Sequence, residues 1–200
     1  MAKKRAYEEL FVHAAIRMVY EVGIENLRTK DVADLTSFSE ATLFRFFPSK
    51  DILLRETFLY IDKEVSDLLT QCAYIRNPDN TPFELAVYAI WHKVYRYLLE
   101  HREETIFLIR YRYSSLYTDE VRSKRQAYNG GFDRAYAVFE KHLGTASHSY
   151  RGFIINYIFE LTLCFAEKII TGKVEDTEAT EGFIWTAVRN SMEEAGKQAQ

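Results

Sequence analysis

The chain has 200 residues, 48% of them hydrophobic, 15% aromatic and 28% charged, a globular composition that excludes disorder, collagen-like repeats and low-complexity scaffolds. Its formal net charge of −3 excludes a wholesale basic coat but leaves room for a local basic patch. At this length one core or two small ones can form, so domain count must come from pattern.

Only Pro48, Pro78 and Pro82 could break a helix, and no proline follows residue 82. Tyr7, Leu10, Phe11, Ala14, Met18, Val19 and Val22 recur at i, i+3, i+4 and i+7, the buried stripe of a first helix, and Gly23 follows as its C-cap. Caps and breakers place helices at about 6–22, 30–36, 40–46, 50–72, 82–101, 103–116, 119–142, 148–171 and 178–194. Pro82 suits a first helical position, where its missing N–H costs nothing. The clearest loop is Arg76-Asn77-Pro78-Asp79-Asn80, and Asn129-Gly130-Gly131 reads as a kink within a helix. No stretch alternates with the period of a strand between hairpin turns, so the fold is all-α. Short, closely spaced helices give way to long ones after residue 50, which suggests a small N-terminal domain at 1–50 and a helical body at 51–200.

Cys72 and Cys164 stand far apart in apolar contexts, with no Cys-x-x-Cys pair and no Cys/His cluster. They read as two buried thiols in a reduced cytoplasm rather than as metal ligands or a disulfide. Met1-Ala2-Lys3-Lys4-Arg5 lacks the apolar region of a secretory signal. The apolar stretch from Gly152 to Ala166 is interrupted by Asn156 and Glu160, too short and too polar for a membrane span. The expected location is therefore the cytoplasm, without a membrane partner.

The helices at 30–36 and 40–46 are separated only by Ser37-Phe38-Ser39, the footprint of a helix-turn-helix whose second helix enters a DNA major groove. On spacing alone an ordinary α-hairpin in a bundle reads equally well. Val32 and Leu35 would pack inward beneath Leu43 and Phe47, Ala33 would permit a close crossing, and Ser39 would cap the second helix. Thr29-Lys30-Asp31-Val32-Ala33 and the long block from Ser39 through Phe44-Arg45-Phe46-Phe47-Pro48-Ser49-Lys50-Asp51-Ile52-Leu53 complete the pattern.

With the first helix and Gly23, these blocks resemble the tetracycline-repressor (TetR) family of bacterial transcription regulators over about the first 55 residues. Two positions depart from that pattern. Ser37 stands where a glycine is usual, at a cost of roughly 1 kcal/mol if its φ is positive, and Phe44 replaces a usual tyrosine. The resemblance implies a DNA-contacting set of Arg28, Thr29, Lys30, Ser39, Glu40, Ala41, Thr42, Phe44, Arg45 and Lys50. Lys50, opening a helix, suits a phosphate; Thr29 and Thr42 suit phosphate or sugar. Arg45 and Arg28 are candidate base or minor-groove readers. Glu40 could accept from cytosine or simply favour the helix dipole. Residues 1–50 hold 8 Lys/Arg against 7 Asp/Glu, so so weakly charged a module needs two half-sites to bind usefully.

In the body, 20 of the 30 aromatic residues lie between Phe83 and Trp185. Tyr88, Trp91, His92 and Tyr95 repeat at helical spacing, as do Phe107, Arg110 and Tyr111, and then Tyr128 and Phe132. Such stripes form cores more often than ligand sites, but polar groups among the rings match the make-up of a pocket. With Tyr157, Glu160 and Cys164 they form the candidate effector site that the resemblance implies. The helix at 148–171 is apolar almost all round and must be covered on two sides. By the same resemblance it pairs with the last helix across a two-fold axis, through Phe153, Tyr157, Phe183, Ile184, Trp185 and Val188.

The five histidines form no ligand spacing, and no phosphate-cradling glycine loop or Gly-x-Ser-x-Gly elbow is present. No enzyme, metal or cofactor is expected. The resemblance implies a homodimeric transcriptional regulator, a repressor by family habit, that binds a palindromic double-stranded DNA operator and is released by a small-molecule effector. The alternative is a helical small-molecule-binding protein that no longer selects DNA.

Overall fold

The computed structural model describes residues 2–74, 82–126 and 148–197. Among these the chain is helical, without strands: α1 (Ala2–Val22), α2 (Thr29–Leu35), α3 (Glu40–Phe46), α4 (Lys50–Tyr74), α5 (Phe83–Glu100), α6 (Arg102–Arg112), α7 (Asp119–Gln126), α8 (His148–Ile170) and α9 (Glu178–Lys197). Each expected helix has a counterpart. The loop at 76–80, the kink at Asn129-Gly130-Gly131 and the rest of the helix expected to reach 142 lie outside the described residues.

The ends differ where local hydrogen bonds take over. α1 begins at Ala2 rather than near residue 6, and α6 stops at Arg112 rather than 116. There the Ser114 hydroxyl donates to the Tyr111 carbonyl at 2.8 Å and accepts the Leu116 N–H at 3.2 Å, turning the chain. Pro82 stands just before α5 as its cap, in extended geometry, rather than inside it. The Thr177 hydroxyl accepts the Thr180 N–H at 3.1 Å and so caps α9.

The chain forms two units, Met1–Lys63 with Glu103–Gln126, and Glu64–Arg102 with Ala127–Gln200. In the first, Phe11, Ala15 and Val19 of α1 are buried with Val32, Ala33, Leu43 and Phe47. Phe11 packs its ring near Phe38, Phe46 and Phe47, with centroids 5.8, 5.9 and 6.4 Å away. Phe58 stacks on Tyr111 at 4.6 Å. Beside them lies an ion pair far from water: Arg125 Nε donates to Asp62 Oδ2 at 2.7 Å and its Nη1 to the Tyr117 hydroxyl at 2.7 Å. Burial opposes the Arg125 charge, yet Asp62 and Tyr117 outweigh it and hold the guanidinium above its ordinary pKa. Removing one member of such a pair costs about 3–5 kcal/mol, because the other charge is left alone.

In the second unit, α5 packs on α8 and α8 on α9. Phe159, Leu163, Ala166 and Ile170 form the buried stripe of α8, facing a core that includes Trp91, Tyr95, Leu98, Ile184, Val188 and Met192. On the other side of α8, Tyr157 is 46% exposed.

Four expected burials are corrected. Leu10 is exposed because it lies five positions from Ala15, across the helix from the buried side. Val22 and Leu35 are exposed because each is the last residue of its helix, beyond the reach of the facing core. Leu35 therefore does not join Val32 beneath α3. Cys164 is exposed on α8, and Cys72 alone of the two thiols is buried.

Candidate functional site

The first unit builds a helix-turn-helix. α1 ends at Gly23, whose φ of 89° suits only a residue without a side chain and whose N–H reaches the Val19 carbonyl at 3.0 Å. Arg110 completes that end by donating Nη1 to the carbonyls of Val19 and Tyr20. The turn between α2 and α3 places Ser37 at φ 60°, so the serine keeps the left-handed conformation and the turn is strained rather than rebuilt. Ser39 caps α3, accepting the Thr42 N–H at 3.2 Å as expected of it.

The buried side of α3 is Leu43, followed by Phe47; its exposed side is Ala41, Phe44 and Arg45, at i, i+3 and i+4. Around that face most polar candidates already have partners. The Thr29 hydroxyl donates to Glu40 Oε1, joining the start of α2 to the start of α3. Thr42 Oγ1 lies 2.9 Å from Ser39 Oγ. Arg28 grips Asp31 with two bonds of 2.8 and 3.0 Å, and the Asp31 carboxylate raises the pKa of Arg28. Lys50 opens α4 and donates Nζ to the Glu25 carbonyl at 3.1 Å, while Ser49 Oγ accepts the Ile52 N–H. Lys30 and Arg45 are exposed and make no hydrogen bond or ion pair among the described residues.

The candidate effector residues divide between the units. Phe107 and Tyr111 are buried in the first, where Arg110 also lies; Tyr88, Trp91, His92, Tyr95, Tyr157, Glu160 and Cys164 belong to the second. Tyr128 and Phe132 lie outside the described residues.

Four residues of the second unit form a cluster with Trp185. Trp91 stacks on Tyr95 at 5.0 Å, and Trp185 lies 5.0 Å from Tyr88 and 5.4 Å from Trp91. Glu181 joins it through one oxygen: the Tyr88 hydroxyl donates at 3.0 Å, and His92 Nε2 lies 3.2 Å away. Trp91 Nε1 donates to the Thr162 hydroxyl at 3.1 Å. Tyr95 is fully buried, and its hydroxyl has no hydrogen-bond partner among the described residues. Burial, with Asp176 and Glu181 adding to it, pushes that phenol up to about 12.

Tyr157 and Cys164 stand on the exposed side of α8, and Asn156 donates to Glu160 at 3.2 Å along it. A cleft of about 360 Å³ also opens in this unit, lined by Leu99, Arg102, Ile169, Ile170, Val174 and Asp176 among others, and by none of the candidate effector residues.

Of the residues expected at a dimer face, Ile184 and Val188 are fully buried inside the second unit, and Trp185 belongs to the aromatic cluster. Tyr157 and Phe183 are the exposed members, Phe183 at 65% and edge-on to Phe165 at 6.0 Å. Phe153 lies on α8.

Sequence reading missed Thr29 holding Glu40, Arg110 capping α1 and the Asp62–Arg125 pair. The last two join residues 91 and 63 positions apart, beyond any local pattern. Thr177 was legible, since a threonine just before an acidic first turn is an N-cap signature.

Residues 11–57 match the family model described as bacterial regulatory proteins, tetR family. No curated protein matches the chain. Among solved structures, the chain resembles a TetR family transcription regulator from Marinobacter aquaeolei VT8 at 17% identity and a TM-score of 0.77, covering 96% of this chain and 98% of that one. A TetR family protein from Vibrio parahaemolyticus shares 20% identity at a TM-score of 0.68, over 92% and 96% of the two chains. A TetR variant from Acinetobacter baumannii AYE in complex with minocycline shares 11% identity at 0.64, over 95% and 96%. These likenesses establish the fold, that of the TetR-type regulators.

Proposed function

We infer that this chain, with a tetR-family domain at residues 11–57 and the fold of that family's regulators, is a ligand-responsive DNA-binding transcriptional regulator acting as a homodimer. The observation that carries the reading is the exposed face of α3, held in place by a buried underside and a capped turn, with Arg45 unengaged among the described residues. Residues 1–50 read the operator, and residues 51–200 dimerise and sense the effector. Lys30 and Lys50 hold phosphates, as does the Thr42 hydroxyl.

Two apolar side chains support the dimer. Tyr157 is 46% and Phe183 65% exposed, and a two-fold partner presenting the same residues would cover them. The aromatic cluster around Trp91 and Trp185 supports a planar or lipophilic effector, with the unpaired Tyr95 hydroxyl as the group such a ligand would satisfy. The TetR variant in complex with minocycline, similar to this chain in fold, is a neighbour with a small molecule bound. Effector binding favours a conformation whose half-site spacing no longer fits the operator, so the two ligands weaken each other by one common factor. The protein is then a repressor, working in the cytoplasm without cofactor or catalysis.

Selection of bound duplexes from a random library by the full chain tests this. Winners should converge on an inverted repeat, and their affinity should fall linearly with log salt. A folded chain that enriches no sequence would instead be a helical small-molecule binder.

A further inference from the structure

The side chains around α3 divide into those already held within the chain and those left to meet a base. Glu40, the one acid on α3, receives the Thr29 hydroxyl on Oε1, which draws its carboxylate toward the start of α2. Thr42 is paired with Ser39, Arg28 with Asp31, and Lys50 with the Glu25 carbonyl. What remains on one continuous side of α3 is Ala41, Phe44 and Arg45, with Phe44 40% exposed. Two of the three are apolar. The third is a guanidinium with no partner among the described residues.

Base edges in the major groove answer such a surface unequally. Arginine forms its paired bonds with guanine O6 and N7, whereas alanine and phenylalanine find apolar contact only at the thymine 5-methyl group. From this juxtaposition we propose that each operator half-site is read as one guanine flanked by thymines, Arg45 on the guanine and Phe44 and Ala41 on the thymine methyls. Glu40 serves as a positioning residue that ties α3 to α2. The proposal rests on the DNA-binding reading above and adds the base class.

The test uses the full chain and duplexes carrying the selected half-site. Replacing a contacted thymine by uracil deletes one methyl group and should weaken binding about fourfold. Replacing the guanine by 7-deazaguanine deletes one of the two acceptors and should weaken it about tenfold. In Phe44→Ala, an exposed truncation, the uracil effect should vanish at one position while the 7-deazaguanine effect stays. An enriched inverted repeat indifferent to uracil would overturn the base assignment and leave the regulator reading standing. So would a repeat whose cytosine preference disappears in Glu40→Gln. Failure to enrich any repeat would overturn both.

Discussion

Two tyrosines of similar burial differ in what their hydroxyls meet. Tyr111 OH donates to the Leu116 carbonyl at 3.1 Å, while Tyr95 OH has no partner among the described residues. An unmet buried hydroxyl costs about 1–3 kcal/mol, and a met one contributes about 1. Tyr95→Phe should therefore leave the free chain about 1 kcal/mol more stable and Tyr111→Phe about 1 kcal/mol less stable, read from urea unfolding. Burial raises both phenols from 10 to about 12. The folded state thus keeps two protons that the unfolded state loses first, and stability should be intact below pH 10 and decline as pH approaches 12. A spectrophotometric titration should show these two phenols ionising after the exposed ones. Equal changes in both variants would remove the distinction, and with it the reason for placing Tyr95 against an effector.

At the scale of elements, α2, the turn and α3 stand on short-range chemistry. Ser39→Ala removes the hydroxyl that accepts the Thr42 N–H and should cost about 1 kcal/mol. Ser37→Gly relieves a side chain held at φ 60° and should gain up to about 1 kcal/mol, less what glycine adds to unfolded-chain entropy. Thermal unfolding of both variants gives opposite signs if the turn is as described. The glycine after α1 and the serine before α3 were legible in the sequence because they need only two to four consecutive residues, whereas for Ser37 the sequence left strain and a changed backbone both open. Helix positions were equally legible, since proline spacing and apolar periodicity are local. What local pattern could not supply is which side of a helix meets which neighbour. Leu10 and Leu35 fit a stripe by type yet face solvent. Arg110, chosen for its place among aromatics, also closes the end of α1, because a guanidinium beside free carbonyls bonds them. The members of the effector set are likewise distributed over two units, a division that no local pattern foretells.

For the whole molecule, dimerisation would have to carry the affinity of the proposed regulator, because an N-terminal domain of near-neutral charge would have little purchase on a single half-site. In the proposed dimer the exposed Phe183 and Tyr157 would meet the partner, while Ile184 and Val188 belong to the core of the second unit. Phe183→Asp places a charge on a side chain already 65% exposed, so it should spare the fold and disturb only the pairing of chains. Sedimentation of the full chain with duplexes carrying one or two copies of the selected half-site measures this directly. Two chains should occupy the two-site duplex together, with the single half-site bound about a hundredfold more weakly. Phe183→Asp should abolish that advantage. One chain per duplex, with equal affinity for one site and two, would contradict a dimeric operator-binding regulator.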